Sequence, residues 1–579
     1  MATFYLNNLT FNTQTEDNLR EEKLELLSNG EISYYKLSLV FDGKIKPKRY
    51  SLSWEEDQVD MMGFWSSKSH FDKNITPDWY MRNEMSRTAT GMPLISIYSK
   101  SNLNRTTVAL SDPSNPSVLM AGCIEERGTV LFKIDLFPDI SPLMSSYEVI
   151  IRIDRRKMQF YKSVQDVKSW WNEIGYKNCY VPDHARLPMY SAWYSYHQEI
   201  DVDAIIKECQ QAKEYGMDTI IVDDGWQTDD SSRGYAYCGD WQVSKKKIPD
   251  MKRFVDEIHK IGMKFVIWFS VPFMGVMSEN YERFKGMYLG NRSSNDSSVL
   301  DPRYKEVRDF LCDIYATHVE NYGWDGLKLD FIDSFRPYES STDYDPRMDC
   351  VSVEEGVIKL LSEVSARLKG ANPEFMIEFR QSYVGPIMSM YGNFFRVGDC
   401  PCDVLVNRIG AINLRLTSGE TAAHSDMIMW NKNDTVESVA YQLLGTLLIV
   451  PQISIRFDDI TDEHKKLLKS YLSFWREHRD TILNGEIEIE DAEANYSMAK
   501  STNDTESVCA LYQNVVAKVE DNKTNYIFNS TGKSYAYVES DKDCTYELYN
   551  IYGEKEGSGT LLRGVTKLPV ANCGMVKIF

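Results

Sequence analysis

Short runs of alternating apolar and polar residues fill the first third of the chain. Examples are Tyr34–Phe41, Val130–Phe137 and Tyr147–Ile153, which are separated by clusters of Asn, Ser, Gly and Pro. Period-two alternation bounded by turn-forming residues is typical of antiparallel strands with one buried face. The pattern therefore predicts an N-terminal antiparallel β-sandwich over residues 1–183. The same texture returns after Gly485 and predicts a small C-terminal antiparallel β-sandwich domain over residues 485–579.

Between these segments, over residues 184–484, short apolar runs alternate with amphipathic stretches of helix length. Stretches with helical spacing close on Gly216, Gly262 and Gly323, the usual position of a C-terminal helix cap. Repeated strand–helix units predict a (β/α)8 barrel, whose catalytic groups lie at the C-terminal ends of the strands. An open, doubly wound sheet is the alternative. The eight predicted strands are Tyr190–Tyr196, Thr219–Asp224, Lys264–Ser270, Gly326–Phe331, Glu374–Phe379, Asn393–Gly398, Ala422–Met429 and Leu447–Ser454.

Composition narrows the function more than it narrows the fold. The 579 residues carry 65 Lys and Arg against 85 Asp and Glu, a net charge of −20. Such an acidic chain repels phosphate backbones and anionic lipid, so neither nucleic acid nor a membrane is an expected partner. The first ten residues lack a secretory signal pattern, and no run reaches the roughly 20 apolar residues of a membrane span. We therefore expect a cytoplasmic location.

The cysteine and histidine patterns favour no metal chemistry. The 11 Cys are scattered, and the closest pair, Cys400 and Cys402, lacks the spacing of a zinc site. The eight His include no H-E-x-x-H pair. We expect reduced thiols, no bound metal and no cofactor.

Carboxylic acids close most of the predicted barrel strands. Each acid alone could cap a helix or pair with an arginine, but their convergence at one end of a barrel indicates a site. Such an array suits either a bound metal or the paired carboxyl groups that flank a glycosidic bond. Lys328 precedes Asp330 by two residues on the same strand face, which keeps the acid ionised and would repel a divalent metal. The acids are Asp223, Asp224, Asp330, Glu378, Asp399 and Asp426.

Tryptophans in or beside the same strand ends favour a carbohydrate ligand. Flat indole faces suit the apolar faces of sugar rings, although each tryptophan taken singly is better explained as core. The four residues are Trp193, Trp226, Trp241 and Trp268.

Four segments in this order carry a resemblance to a known family. They are VDDGWQ (222–227), the stretch from GDWQ to VIW (239–268), GLKLDFID (326–333) and FFRVGDCP (394–401). The set resembles glycoside hydrolase family 36, the α-galactosidases, and more distantly family 27. The resemblance covers residues 186–483, and the flanking β domains agree with the family architecture without motifs of their own.

The resemblance implies roles for the strand-end residues. It implies that Asp330 is the catalytic nucleophile with Lys328 beside it, and that Asp399 is the general acid/base with Arg396 nearby. Some relatives have one more residue between the arginine and the acid, so Asp403 remains an alternative acid/base. The implied substrate-binding residues are Asp223, Asp224, Trp226, Lys328, Trp268, Arg396, Glu378, Arg380 and Trp193.

The implied reaction is hydrolysis of a terminal α-linked galactose from short oligosaccharides with retention of configuration. Such enzymes hold their two carboxyl groups about 5–5.5 Å apart. The negative charge of Asp330 is expected to raise the pKa of Asp399 until an ester forms on Asp330. The alternatives are an α-N-acetylgalactosaminidase, a raffinose-synthase-like galactosyl transferase and a noncatalytic sugar-binding barrel. FSVPFMG (269–275) departs from the F-E-P-E-M run of many members, so the substrate detail stays open. The sequence also leaves open the sugar acceptor and whether the chain forms a homo-oligomer.

Overall fold

A computed structural model describes residues 2–68, 71–292 and 296–579, with the side chains of residues 291 and 292 outside that description. The N-terminal part is two facing six-stranded antiparallel sheets, ordered β1-β2-β5-β11-β10-β7 and β3-β4-β12-β9-β8-β6. Alternate residues of these strands are buried, as in β2 and β4, and they form a core between the sheets. The strands are β1 (Thr3–Leu6), β2 (Leu9–Thr15), β3 (Leu19–Ser28), β4 (Ile32–Ile45), β5 (Tyr50–Asp57), β6 (Gly63–Ser66), β7 (Arg82–Ser86), β8 (Leu94–Tyr98), β9 (Asn104–Leu110), β10 (Ser117–Ile124), β11 (Thr129–Leu136) and β12 (Met144–Asp154).

The middle of the chain is an eight-stranded parallel sheet that curls into a nearly closed barrel, in the order β22-β21-β20-β19-β15-β14-β13-β23. The predicted barrel is therefore confirmed. Its strands and helices are α1 (Phe160–Glu173), β13 (Met189–Ser191), α2 (Trp193–Tyr196), α3 (Val202–Glu214), β14 (Thr219–Val222), α4 (Met251–Ile261), β15 (Lys264–Ser270), β16 (Phe273–Gly275), β17 (Tyr288–Arg292), β18 (Ser297–Leu300), α5 (Lys305–Tyr322), β19 (Gly326–Asp330), α6 (Val353–Ala371), β20 (Met376–Arg380), β21 (Phe394–Arg396), α7 (Val404–Thr417), β22 (Ala422–His424), α8 (Val436–Gly445), β23 (Gln452–Ile453), α9 (Asp462–Glu477) and α10 (Arg479–Asn484).

The barrel strands are short and almost wholly buried, because a parallel sheet is covered on both faces. All residues of β14 and all but the first of β15 are buried. Helices α4 and α5 end on the predicted glycines, Gly262 and Gly323, which adopt φ of 81° and 77°. That left-handed conformation favours glycine.

The seam of the barrel lies between β22 and β23. Val450 N donates to Ala423 O and Ser425 N donates to Val450 O, both at 2.9 Å. The predicted eighth strand, Leu447–Ser454, was too long, because the strand β23 that forms there spans only Gln452–Ile453. The predicted first strand was also too long, because the chain turns into α2 after Ser191.

The C-terminal part contains a seven-stranded and a three-stranded sheet. Their orders are β24-β25-β26-β28-β33-β30-β31 and β27-β29-β32. Two pairs, β26 with β28 and β27 with β29, run parallel, so the sheets are not purely antiparallel as predicted. The strands are β24 (Glu486–Glu490), β25 (Met498–Thr502), β26 (Glu506–Leu511), β27 (Val516–Lys518), β28 (Thr524–Asn529), β29 (Ala536–Ser540), β30 (Cys544–Tyr549), β31 (Lys555–Leu561), β32 (Gly564–Leu568) and β33 (Met575–Ile578).

One side chain on α7 joins all three parts of the chain. Asn413 Oδ1 accepts a hydrogen bond from Trp65 Nε1 of the N-terminal sandwich at 3.1 Å. The same oxygen accepts from the hydroxyl of Tyr496, after β24, at 2.9 Å.

Among the described residues, no helix is both long enough and apolar enough to cross a membrane.

Candidate active site

The carboxyl ends of the central barrel strands bring most of the predicted acids together. Asp330 is the last residue of β19, while Asp223 follows β14 directly. Arg380 ends β20 and Arg396 ends β21, so charges of both signs meet at this rim. Parallel strands deliver their last residues to the same end of a barrel, which is why acids far apart in sequence become neighbours.

Asp330 is buried and surrounded by hydrogen-bond donors. Its Oδ1 accepts from Phe331 N at 2.8 Å, from Arg380 Nε at 2.9 Å and from the hydroxyl of Tyr383. Its Oδ2 accepts from Trp268 Nε1 at 3.1 Å. Four donors therefore hold this carboxylate in one orientation.

The same surroundings keep Asp330 ionised. Burial acts to raise the pKa of its carboxyl, but the charges of Arg380 and Lys328 and the hydrogen bonds of Tyr383 and Trp268 outweigh it and hold the pKa well below the usual range. An ionised, oriented carboxylate with a protein cation beside it has the properties that a nucleophile needs.

Lys328 links the nucleophile candidate to the acid pair after β14. Lys328 Nζ lies 2.5 Å from Asp223 Oδ2, and both side chains are buried. Burial lowers the pKa of this ammonium, but the charges of Asp223, Glu378 and Asp330 outweigh it and raise the pKa. Lys328 therefore stays charged beneath the site.

Asp224 is held by neutral amides instead of cations. Gln198 Nε2 donates to its Oδ2 at 2.6 Å and Gln227 Nε2 donates to its Oδ1 at 2.7 Å. Burial raises the pKa of Asp224 to about 6, with a further contribution from the charge of Asp223. Two neighbouring carboxyl groups thus have different environments, one ion-paired and one hydrogen-bonded to amides.

Arg396 is buried and reaches three carboxylates. Its Nη1 lies 2.5 Å from Asp426 Oδ1, its Nη2 lies 2.8 Å from Asp399 Oδ1, and its Nε lies 3.5 Å from Glu378 Oε1. A planar guanidinium can serve several acceptors at once. Arg396 therefore fixes the relative positions of β20, the loop after β21 and the loop after β22.

Asp399 is the exposed acid of this group, with 51% of its side chain accessible. The expectation that Asp330 raises its pKa is not met as a net effect. Burial and Asp330 do act to raise the pKa, but the charges of Arg396, Lys328 and Arg380 outweigh them and lower it. In the free protein Asp399 is therefore ionised and paired with Arg396.

The loop that carries Asp399 is pinned by Asp426. Asp426 Oδ2 accepts from Cys400 N at 2.7 Å and from the hydroxyl of Tyr194 at 3.0 Å. Asp426 is fully buried, and burial and the nearby Asp399 raise its pKa against the opposing effect of Arg396. This acid positions the loop from behind and lies out of reach of a ligand.

Asp403, the alternative acid/base, caps a helix. Its side chain accepts from Leu405 N and Val406 N at the start of α7. That is the ordinary use of an aspartate at a helix N-terminus. The geometry favours Asp399 over Asp403, since Asp399 shares the cations Lys328 and Arg380 with Asp330.

A cavity of about 360 Å³ adjoins Asp399. Arg380, Gln381 and Gly398 line it from the barrel, and Ser67 and Lys68 line it from the N-terminal sandwich. Val384, Val397 and Val406 also line it, so Asp399 borders a space with both polar and apolar walls. Within the described residues, no group of three or more His, Cys, Asp or Glu is arranged to hold a metal ion.

The structure places two of the predicted ligand contacts, Trp226 and Glu378, in the core. Trp226 is 0% exposed and donates its Nε1 hydrogen to Trp268 O at 2.8 Å, so its ring is core beneath the site. Glu378 is also 0% exposed and accepts from Gln452 Nε2 at 2.8 Å. Both support residues of the site instead of forming its walls.

The other tryptophans have separate surroundings. Trp268 is buried and donates its Nε1 hydrogen to Asp330 Oδ2. Trp241 is buried against Trp226, with ring centroids 5.9 Å apart. Trp193 is partly exposed and stacks on His197 at 3.7 Å between centroids, which leaves it as a candidate wall.

Sequence reasoning missed the neutral donors of the site. These are Tyr383 on Asp330, Tyr194 on Asp426, and Gln198 and Gln227 on Asp224. Gln227 lies inside the quoted VDDGWQ motif and could have been found there. Tyr194 lies in the short helix α2, and Gln198 and Tyr383 lie in loops, all three outside the quoted motifs, so only the fold brings them to the acids.

Comparison with known proteins agrees with this architecture. Residues 177–396 match the Melibiase family. An α-galactosidase of Lactobacillus acidophilus is 29% identical over 168 residues, which is 27% of this chain and 22% of that protein. The aligned segment thus spans about a fifth of that relative.

Two solved structures share the fold over nearly the whole chain. The α-galactosidase from Lactobacillus brevis superposes with a TM-score of 0.66 at 14% identity, covering 100% of this chain and 85% of that one. A family 36 α-galactosidase from Geobacillus stearothermophilus, solved with raffinose, gives a TM-score of 0.64 at 13% identity and covers 98% and 89%. These structures show the same fold, and the match over residues 177–396 agrees with the resemblance to glycoside hydrolase family 36 that the motifs carry.

Proposed function

We propose that this protein is a retaining α-galactosidase that removes terminal α-linked galactose from short oligosaccharides by double displacement. One observation supports this above all others. A buried, ionised carboxylate on β19 and a half-exposed carboxylate after β21 share the cations Lys328 and Arg380 at the mouth of one barrel. Retaining glycosidases need one carboxyl group fixed as a nucleophile and a second that exchanges protons.

In the first step, Asp330 attacks the anomeric carbon while the bond to the leaving oxygen breaks. Asp399 gives its proton to that oxygen, so the leaving group departs as a neutral alcohol. In the second step, Asp399 takes a proton from water, the water oxygen bonds to the anomeric carbon, and the ester bond to Asp330 breaks. The electron pair returns to the Asp330 carboxylate, and both acids regain their starting states.

Asp399 must carry a proton when the substrate is bound. A sugar that enters the cavity beside Asp399 removes water from its exposed side, and desolvation raises the pKa of a carboxyl group. Formation of the ester on Asp330 then removes a negative charge nearby, which lowers the pKa of Asp399 for its task as a base.

Recognition of the galactose is assigned to the acid pair after β14. Asp223 pairs with Lys328, whose charge also acts on Asp330, and Asp224 is the next residue in the chain. Their carboxyl groups can accept hydrogen bonds from sugar hydroxyls. Because Asp224 is held only by amide donors, a hydroxyl can join it without breaking an ion pair.

The test is hydrolysis of 4-nitrophenyl α-galactoside, with proton NMR of the first sugar product. We expect α-galactose as the initial product, and an initial β product would contradict a retaining mechanism. Asp330→Asn and Asp399→Asn are expected to lower kcat by several orders of magnitude. Asp403→Asn is the matched control, since asparagine also caps helices and activity is expected to persist.

A substrate panel separates the remaining alternatives. The α-N-acetylgalactosaminide tests tolerance of a 2-acetamido group, while raffinose and melibiose at high concentration test transfer to a sugar acceptor. Turnover of the acetamido substrate alone, or transfer products alone, would replace the proposal with the corresponding activity.

A further inference from the structure

The two oxygens of the Asp330 carboxylate have unequal surroundings. Oδ1 accepts from three donors, Phe331 N, Arg380 Nε and the hydroxyl of Tyr383, whereas among the described residues Oδ2 accepts only from Trp268 Nε1. A carboxylate oxygen offers about two lone pairs to donors in its plane. Oδ1 is therefore fully occupied, while Oδ2 keeps a lone pair for another partner.

On the basis of the proposed function, we propose that Oδ2 of Asp330 is the atom that bonds to the anomeric carbon, and that Tyr383 is a positioning residue that speeds release of the sugar from Asp330. In this arrangement Oδ1 becomes the carbonyl oxygen of the ester. Attack breaks the bond from the anomeric carbon to the leaving oxygen and forms the bond to Oδ2. Water later displaces Oδ2, and the electron pair of that bond returns to the carboxylate.

Tyr383 is suited to this role by its burial and its protonation. The residue is 1% exposed, and burial, followed by the charge of Asp330, raises the pKa of its phenol well above the ordinary value. The hydroxyl therefore keeps its proton and donates to Oδ1. Its ring is also fixed, because it packs against Phe379 with centroids 6.0 Å apart.

The backbone after Asp330 adds to the same arrangement. Phe331 adopts φ of 61°, a left-handed conformation that is rare for a bulky aromatic residue. This turn aims its N–H at Oδ1 and also brings it within 3.2 Å of the Tyr383 hydroxyl. A backbone N–H, a buried phenol and a guanidinium therefore all donate to Asp330 Oδ1.

The three donors discriminate between the charged and the esterified nucleophile. Hydrogen bonds to an ionised acceptor are stronger than those to a neutral one. The donors on Oδ1 therefore stabilise the carboxylate more than the ester, which makes Asp330 a better leaving group in the second step. Loss of the Tyr383 hydroxyl is expected to slow that step more than the first.

The experiment compares Tyr383→Phe with wild type on 4-nitrophenyl α-galactoside in rapid-mixing and steady-state assays. We expect kcat and KM to fall together, kcat by about 10- to 100-fold, the effect of one hydrogen bond to a charged group. The ratio kcat/KM stays close to wild type, and a burst of nitrophenol approaches one equivalent per active site. Intact mass spectrometry of the quenched variant shows one hexosyl unit on the protein.

The matched control is Tyr391→Phe, a half-buried tyrosine between β20 and β21 whose hydroxyl faces Ser362. Its kinetics are expected to match wild type. If kcat/KM of Tyr383→Phe falls as far as kcat, with no burst and no hexosyl adduct, Tyr383 has only a structural role and the inference is wrong. If wild type itself releases no nitrophenol, the proposed function fails and this inference with it.

Discussion

Arg396 Nη2 lies 2.8 Å from Asp399 Oδ1, so the candidate acid/base is ion-paired in the free protein. The same guanidinium also contacts buried Glu378 and Asp426. Arg396 can therefore release Asp399 to a substrate without losing all of its partners. Under the proposed mechanism, the ion-paired Asp399 is the resting state, and Asp399 takes up its proton in the complex with substrate.

Removal of the acid/base should make the rate depend strongly on the leaving group. We expect Asp399→Ala to lower kcat/KM by about 10²–10⁴-fold for raffinose, which needs a proton on its leaving oxygen, and by much less for a dinitrophenyl galactoside. Azide is expected to restore turnover and give a galactosyl azide, since it needs no general base. Steady-state assays with both substrates check this, and equal losses for both would count against Asp399 as the acid.

Replacement of Arg396 should destabilise the protein in a pH-dependent way. Arg396→Met leaves Asp426 buried without its cation and Glu378 with Lys328 as its remaining cation, and loss of one partner of a buried ion pair costs about 3–5 kcal/mol. Burial raises the pKa of both acids, so the folded protein loses stability as the pH rises and they ionise.

Urea unfolding of Arg396→Met and wild type at pH 4.5 and pH 7.5 is the measurement. The difference between the two proteins should be smaller at the lower pH, where Glu378 and Asp426 are closer to neutral. Arg396→Lys keeps the charge and serves as the control. A difference that does not change with pH would show that the acids do not depend on Arg396.

Asp224 should lower stability at neutral pH. Its pKa is raised to about 6, above the ordinary value of about 3.9, so the folded state binds the proton more tightly than the unfolded state. The associated stability is present at low pH and is lost as the pH rises through about 6. Two pKa units correspond to roughly 3 kcal/mol.

We therefore expect the Tm of Asp224→Asn, relative to wild type, to be more favourable at pH 7.5 than at pH 4.5. The variant should also lose affinity for galactosides, which KM or product inhibition by galactose would report. Scanning calorimetry at the two pH values checks the first part. A Tm of Asp224→Asn that falls relative to wild type as the pH rises would contradict the raised pKa of Asp224.

Trp226 should behave as a core residue and not as a ligand contact. Trp226→Phe removes its hydrogen bond to Trp268 O and leaves a small cavity, with an expected loss of about 1–3 kcal/mol. KM for the galactoside is expected to stay near wild type. Trp79→Phe is the control, because Trp79 is 76% exposed and its loss should leave Tm unchanged. A raised KM with an unchanged Tm would show that Trp226 contacts the substrate.

The sequence predicts the barrel well because its strands are continuous apolar runs. Lys264–Ser270 is such a run and forms β15 with the predicted bounds. The prediction fails where apolar residues serve another purpose, as in Trp193–Tyr196, which forms α2, and in residues 447–451, which turn toward the seam. Periodicity alone does not distinguish a strand from a short buried helix.

The acids of the site are predictable because a carboxylate at the end of an apolar strand is unusual. Asp330 and Asp399 were singled out in this way and through the family motifs, and their roles stay predictions. Trp226 was predicted to line the pocket, but the sequence alone does not distinguish a tryptophan in the core from one in a pocket wall. Tyr383 was missed because its loop carries no distinguishing pattern, and its importance comes only from its contact with Asp330.

Asn413 links the barrel to the β sheets on both sides of it. Its single amide oxygen holds Trp65 from one side and Tyr496 from the other, and it sits on the helix that begins just beyond the acid/base loop. Truncation at either end of the chain would remove one of the two donors to this oxygen, so a single side chain links the three parts of the molecule.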